Sequence, residues 1–183
     1  MTDWIQVARE IGFDEAAILR IDTLKPMQAV RDMCAADKCK AYGKNWTCPP
    51  ECDTLEQCEG QMQSYRQGIL VQTVGKLERT IDTKGYAQAA LRHRELFRAF
   101  TDLVRKVYPD ALCLGAGVCD LCGQCAYPEP CRFPDKRIYA MEGYGLFVTQ
   151  VCKDNQIPYY HGAKTIAYSA CVLFDKKDGK TDV

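Results

Sequence analysis

Twelve cysteines in a chain of 183 residues, about one residue in fifteen, constrain this protein more than any other feature. A chain of this length buries a sizeable core without covalent staples, so the cysteines are in excess of what folding requires. The N-terminus, Met1 to Glu10, lacks the basic start and unbroken apolar stretch of a secretory leader. The longest near-apolar run, Ile166 to Phe174, is about half of the ~18 residues that a membrane-spanning helix needs. A cytoplasmic location is therefore expected, and in a reducing cytosol thiols serve metals and catalysis rather than disulfides. Lys and Arg total 24 and Asp and Glu total 24, for a formal net charge of zero. That balance lacks the long-range attraction of a nucleic-acid or anionic-membrane binder and points to a small-molecule substrate or a redox partner protein.

Along the chain, apolar residues at Trp4, Ile5, Ala8 and Ile11 predict a short helix that stops at Gly12, followed by a strand over 16–21. Pro26 opens a second helix that runs into Cys34, and the stretch 38–53 is turn-rich loop. Thr54 with Gln57 three residues on has the form of a capping box and starts a helix through Tyr65. A buried strand is predicted over 68–75, a long helix over 84–107, a strand over 111–118, a helix over 141–154 and a last strand over 165–174. Strands alternating with helices favour an α/β layered fold, one domain over 1–183, with a central sheet and with metal-binding loops outside the strand ends.

Cys119, Cys122 and Cys125 are spaced by two residues each, and Cys131 follows six positions later. Zinc fingers usually take their ligands as two separated pairs, whereas a cubane accepts several thiolates from one tight loop. The spacing comes nearest to the ferredoxin run but departs from it: the last gap is five residues, and Arg132 rather than proline follows Cys131. A 4Fe-4S cluster is the favoured occupant, with zinc and redox thiols as the alternatives. Gly115 and Gly117 precede this loop, either to bring backbone N–H groups near cluster sulfurs or simply to make a tight strand exit; the dinucleotide fingerprint would need a third glycine where Asp120 stands.

A second group, Cys34, Cys39, Cys48, Cys52 and Cys58, places five cysteines in 25 residues around Tyr42 to Pro50. Cys34, Cys39, Cys48 and Cys58 are the expected ligands of a second site, making two clusters in all, with Cys52 as a spare. If only three of them bind, one iron is left open.

These residues resemble a known family. Cys34, Cys39 with Tyr42-Gly43, Cys48-Pro49-Pro50, Gly115-Ala116-Gly117, the Cys119 to Cys131 loop with Arg132 and Pro134, and Met141-Glu142 look like the uncharacterised prokaryotic family of predicted metal-binding proteins (domain of unknown function 2284). The resemblance covers nearly the whole chain and implies a metal, in the form of an iron-sulfur centre, with no established activity. Cys52 departs from that pattern and Cys58 fits part of it.

Cys113, Cys152 and Cys171 fall within predicted strands or a helix and read as small buried apolar residues. His93 lies on the apolar face of the long helix and reads as a hydrogen-bonded core histidine, whereas His161 in a loop has the setting of an acid-base group. Glu142 reads equally as a functional carboxylate or as an acid favoured at a helix start. Arg132, Lys136 and Arg137 are placed to offset the charge of a thiolate-ligated cluster. The leading expectation is a cytoplasmic iron-sulfur protein that transfers electrons as a carrier or redox-enzyme subunit. Its rivals are an enzyme that uses an open iron as Lewis acid or sulfur-binding site, and a structural zinc protein that binds a partner.

Overall fold

A computed structural model describes residues 2–177. Its framework is a hairpin-like pair of twelve-residue strands, β2 (Tyr65–Lys76) and β5 (Thr165–Lys176), antiparallel from Tyr65 opposite Lys176 to Lys76 opposite Thr165. β1 (Glu15–Ile18) extends the sheet beside β2, and β3 (Leu112–Gly115) pairs with the other edge of β5, both antiparallel. β4 (Tyr139–Ala140) adds to β3 in parallel and completes the order β1-β2-β5-β3-β4. The predicted α/β layering is thus present, around a mixed sheet.

Successive strand residues point to opposite faces, and both faces are apolar here. Ile69, Val71, Cys113, Ala170, Val172 and Phe174 project to one side. There they meet α1 (Trp4–Ile11) and α4 (Thr83–Val107), whose inward stripe supplies Trp4, Ala8, Phe97, Phe100 and Val104. Phe100 is fully buried, and Trp4 and Phe13 contact it edge-on at ring distances of 6.1 and 6.0 Å. Removing a ring so enclosed costs about 3–5 kcal/mol. Leu70, Leu112, Leu114, Cys171 and Leu173 project to the other side, against α3 (Leu55–Gln63), α5 (Val148–Asp154) and Met141, Tyr144 and Leu146. Cys113, Cys152 and Cys171 are at most 1% exposed within these layers and act as small apolar side chains, as expected.

Local signals set most helix ends. Thr54 and Gln57 form the predicted capping box, and Asp82 caps α4 by accepting from the Gly85 N–H at 2.9 Å. α2 (Gln28–Ala35) begins two residues after Pro26 and carries Cys34 in its last turn. The structure corrects two expectations. The helix predicted over 141–154 is broken: Glu142–Tyr144 is a single 3-10 turn, and α5 starts only at Val148. Gly145 lies between them at φ 73°, where a Cβ would come within 2.7 Å of Leu55 Cδ2, so glycine alone lets the chain turn there. The strand predicted over 111–118 ends at Gly115, because Gly117 at φ 87° turns the chain out of the sheet and into the cysteine loop. That exit, and the segment after α2, place both cysteine loops at one end of β3.

Candidate metal centre

The first cysteine loop is shaped by short-range hydrogen bonds. Asp37, in a left-handed conformation at φ 47°, accepts from the Tyr42 N–H at 2.9 Å and from Lys44 Nζ at 3.1 Å, and the Gly43 N–H donates to the Pro49 carbonyl at 2.9 Å. These bonds fold 36–54 back on α2. Cys34, Cys39 and Cys48 then face a common cavity of about 400 Å³, with Tyr42, Glu142 and the Gly117–Val118 strand exit among its other walls. Cys39 is exposed and Cys48 is buried. Burial, with Glu142 and Cys39 nearby, raises the Cys34 thiol above its ordinary range, and burial pushes Cys48 up to about 12.

Cys52 and Cys58 lie beside the cavity and are not among its lining residues. The Cys52 thiol donates to the Gly143 carbonyl at 3.4 Å. Cys58 donates to the Asp53 carbonyl at 3.5 Å and receives Arg31 Nη2 at 3.6 Å, while burial holds it at about 11 against the lowering effect of Arg31. Arg31 also donates to the Asp53 carbonyl at 2.9 Å. The sequence reading passed over Arg31, yet it stands three residues before Cys34 on α2, a spacing that puts two side chains on one helix face.

Cys119, Cys122, Cys125 and Cys131 are all partly exposed in the loop that leaves β3. Its root is fastened to α4: Arg94 Nε lies 3.3 Å from Asp120 Oδ2, and Arg98 Nη2 donates to Asp120 Oδ1 and, at 3.0 Å, to the Asp120 carbonyl. Burial raises the Cys119 thiol, with the Leu121 and Ile138 backbone groups acting against it. At Cys131 burial also raises, but the hydrogen bonds from Arg137 and the Phe133 backbone prevail and hold the thiol below its ordinary value. Of the three cations expected to offset cluster charge, Arg137 is therefore one that favours a cysteine thiolate. Arg132 instead donates to the Gln124 carbonyl at 3.3 Å.

Among the described residues, no three His, Cys, Asp or Glu side chains stand close enough together to hold one metal ion. The donor chemistry nonetheless fits a soft-metal group, since three thiols, one from the end of α2 and two from the loop after it, line one cavity and four more follow the strand exit that walls it. The remaining candidates divide clearly. His93 is 1% exposed, bonds Thr73 Oγ1 at 2.9 Å and stacks near Phe97, as a core histidine should; burial lowers it to about 4. His161 Nε2 is bound to Gln72 Oε1 at 2.6 Å and faces none of the cysteines in the cavity. Glu142 lines the cavity from the 3-10 turn, and burial raises its carboxyl.

No helix among the described residues is long and apolar enough to cross a membrane. No curated protein matches the chain. Among solved structures, epoxyqueuosine reductase from Streptococcus thermophilus is similar at 10% identity and a TM-score of 0.44, over 99% of this chain and 48% of that one. The chain thus spans about half the length of that relative. Residues 17–174 match the family described as predicted metal-binding protein (DUF2284), and the chain belongs to that family.

Proposed function

We propose that this metal-binding protein is an iron-sulfur protein that transfers electrons, as a carrier or as a redox-enzyme subunit, with a redox partner protein or a small-molecule substrate. Cys119, Cys122, Cys125 and Cys131 would hold one 4Fe-4S cluster, and Cys34, Cys39 and Cys48, completed by Cys58, a second. The observation that carries this reading is the common cavity of Cys34, Cys39 and Cys48, walled by the strand exit that leads into the other four cysteines. Such clusters supply one-electron chemistry at potentials set by nearby charge and hydrogen bonds. The chain's own part is to present soft donors, to place Arg137 against Cys131, and to shield Cys48 from water. Anaerobic purification is expected to give a brown protein with iron and acid-labile sulfide in equal amounts, about four of each per cluster. Stoichiometric zinc without sulfide overturns the proposal.

One observation favours a second reading, in which the first centre has three cysteine ligands and an open iron that serves as Lewis acid or sulfur-binding site: Cys58 faces Arg31 and Asp53 rather than the cavity. Electron paramagnetic resonance separates the two. Under the carrier reading, Cys58→Ala perturbs the first centre, and cyanide or a small thiol leaves the wild-type signal unchanged. A silent Cys58→Ala with a ligand-shifted wild-type signal establishes the open iron.

A further inference from the structure

The two cysteine loops are joined by contacts that use no cysteine side chain. Asn45, 5% exposed, accepts at Oδ1 from the Thr47 N–H at 3.0 Å and from the Thr47 hydroxyl at 2.9 Å. Those two bonds fix the amide so that its Nδ2 donates across to the Cys119 carbonyl at 3.2 Å. The neighbouring Trp46 donates its indole N–H to the Glu129 carbonyl at 2.9 Å, and its ring meets Tyr127 edge-on at 5.0 Å. Tyr127 returns a hydrogen bond to Glu51 Oε1 at 2.9 Å. Arg137 lies 6.0 Å from the centroid of the Trp46 ring.

Resting on the iron-sulfur reading above, we infer that Asn45 and Trp46 are positioning residues for the second metal site although they belong to the first loop. The second loop has little regular structure, so its four cysteines can be held in a ligating arrangement only if the backbone is ordered from outside. Asn45 acts at the first of the four cysteines. Trp46 acts two residues before the last, through the Glu129 carbonyl. Hydrogen bonds that orient ligands from behind govern metal retention as the ligands themselves do. Because Asn45 stands between Cys39 and Cys48, the first loop orders the second through this amide, while its own cysteines do not depend on the contact.

The test follows iron release to a ferrous chelator, under anaerobic conditions, from the iron-loaded wild type, Asn45→Asp and Trp46→Phe. The phase that Cys125→Ser removes reports the second centre. Asn45→Asp keeps the acceptor for Thr47, loses the donor to Cys119 and sets a carboxylate oxygen against that carbonyl, and is expected to speed second-centre release about fivefold or more, one neutral hydrogen bond alone being worth about fivefold. The first-centre phase is expected to stay unchanged. Trp46→Phe keeps a ring against Tyr127 and loses the indole donor, so a smaller acceleration of the same phase is expected, and this milder variant decides the matter if Asn45→Asp does not fold. Wild-type second-centre rates in the folded variants, or equal acceleration of both phases, overturn the inference. A wild type with no phase removed by Cys125→Ser overturns instead the iron-sulfur reading on which it rests.

Discussion

Cys48, Cys52 and Cys58 are 5, 6 and 0% exposed, and Cys58 packs in the same apolar cluster as Met62, Leu70 and Tyr144. Cys119, Cys122, Cys125 and Cys131 are all partly exposed on a loop that leaves β3 and returns only at β4. Three of the five cysteines in the first group are therefore embedded in the body of the molecule, with Cys34 partly exposed and Cys39 exposed, and the buried three contribute as apolar side chains whether or not they bind metal. The second is secured from outside by polar contacts, from Arg94 and Arg98 to Asp120 and from Asn45 and Trp46 to the backbone. The contrast teaches that one chain can mount two thiol groups in different ways. In the first, apolar burial of three thiols adds to the local hydrogen bonds that fold the loop, whereas the second relies on hydrogen bonds and ion pairs to its neighbours alone.

The largest effect that tests this contrast is loss of metal. Cys122→Ser and Cys125→Ser are expected to lose the iron of the second centre and to destabilise the chain, since metal binding is coupled to folding. Cys113→Ser and Cys171→Ser place a hydroxyl in the core at a cost of about 1–3 kcal/mol and are expected to keep their iron. Equal iron loss from all four, measured by metal analysis, would erase the distinction between ligand and packing cysteines.

Acid is expected to have the next largest effect, and to act at the root of the second region. His93 lies buried beside Gly115, Cys119 and Asp120, and its imidazole is held at about 4 against an ordinary 6.5. The unfolded chain therefore binds this proton more readily. The stability that neutral His93 contributes is intact above pH 6.5 and is lost as pH falls toward 4, by about 3 kcal/mol in all. His93→Gln is expected to flatten that part of a denaturation-versus-pH curve; an unchanged slope would remove His93 from the account.

Stripping the metal is expected to lower hydrogen-exchange protection across 116–138 about tenfold while β2 and β5 keep theirs, because the second loop has few buried apolar contacts of its own. Similar loss in 36–54 would mean that the first group also depends on metal for its shape. The smallest effect belongs to Asp120→Asn. Asp120 pairs with two half-exposed arginines, so the substitution is expected to cost less than about 1 kcal/mol in thermal unfolding and to loosen the second loop alone.

Much of this fold was legible residue by residue. The 3.6-residue spacing of α4, the Thr54–Gln57 capping box and the apolar runs of β2 and β5 are short-range signals, each complete within its own element. The break at Gly145 was not legible, because it depends on Leu55 standing 2.7 Å from where a Cβ would be, some 90 positions earlier in the chain. His93 could be read as core from its helix face alone. Arg31, Asn45 and the Arg94–Arg98–Asp120 fastening lay outside that reading, since an arginine or asparagine on a surface-compatible segment carries no local mark of what it will touch.

Sequence alone thus determined the layered α/β class, the excess of thiols, their division into two groups and the burial of Cys113, Cys152 and Cys171 as packing residues. These follow from composition and from spacing along the chain. Tertiary structure decided that Cys34, Cys39 and Cys48 share a cavity with Glu142 and the strand exit, that Cys58 turns to Arg31, and that Asn45 reaches Cys119. Each of these contacts joins segments brought together only when the two faces of the sheet bury their apolar layers. Hydrophobic packing is non-directional and selects the fold through pattern, whereas the hydrogen bonds and thiol placements of a metal site depend on distances of a few ångströms that exist only after that packing is complete.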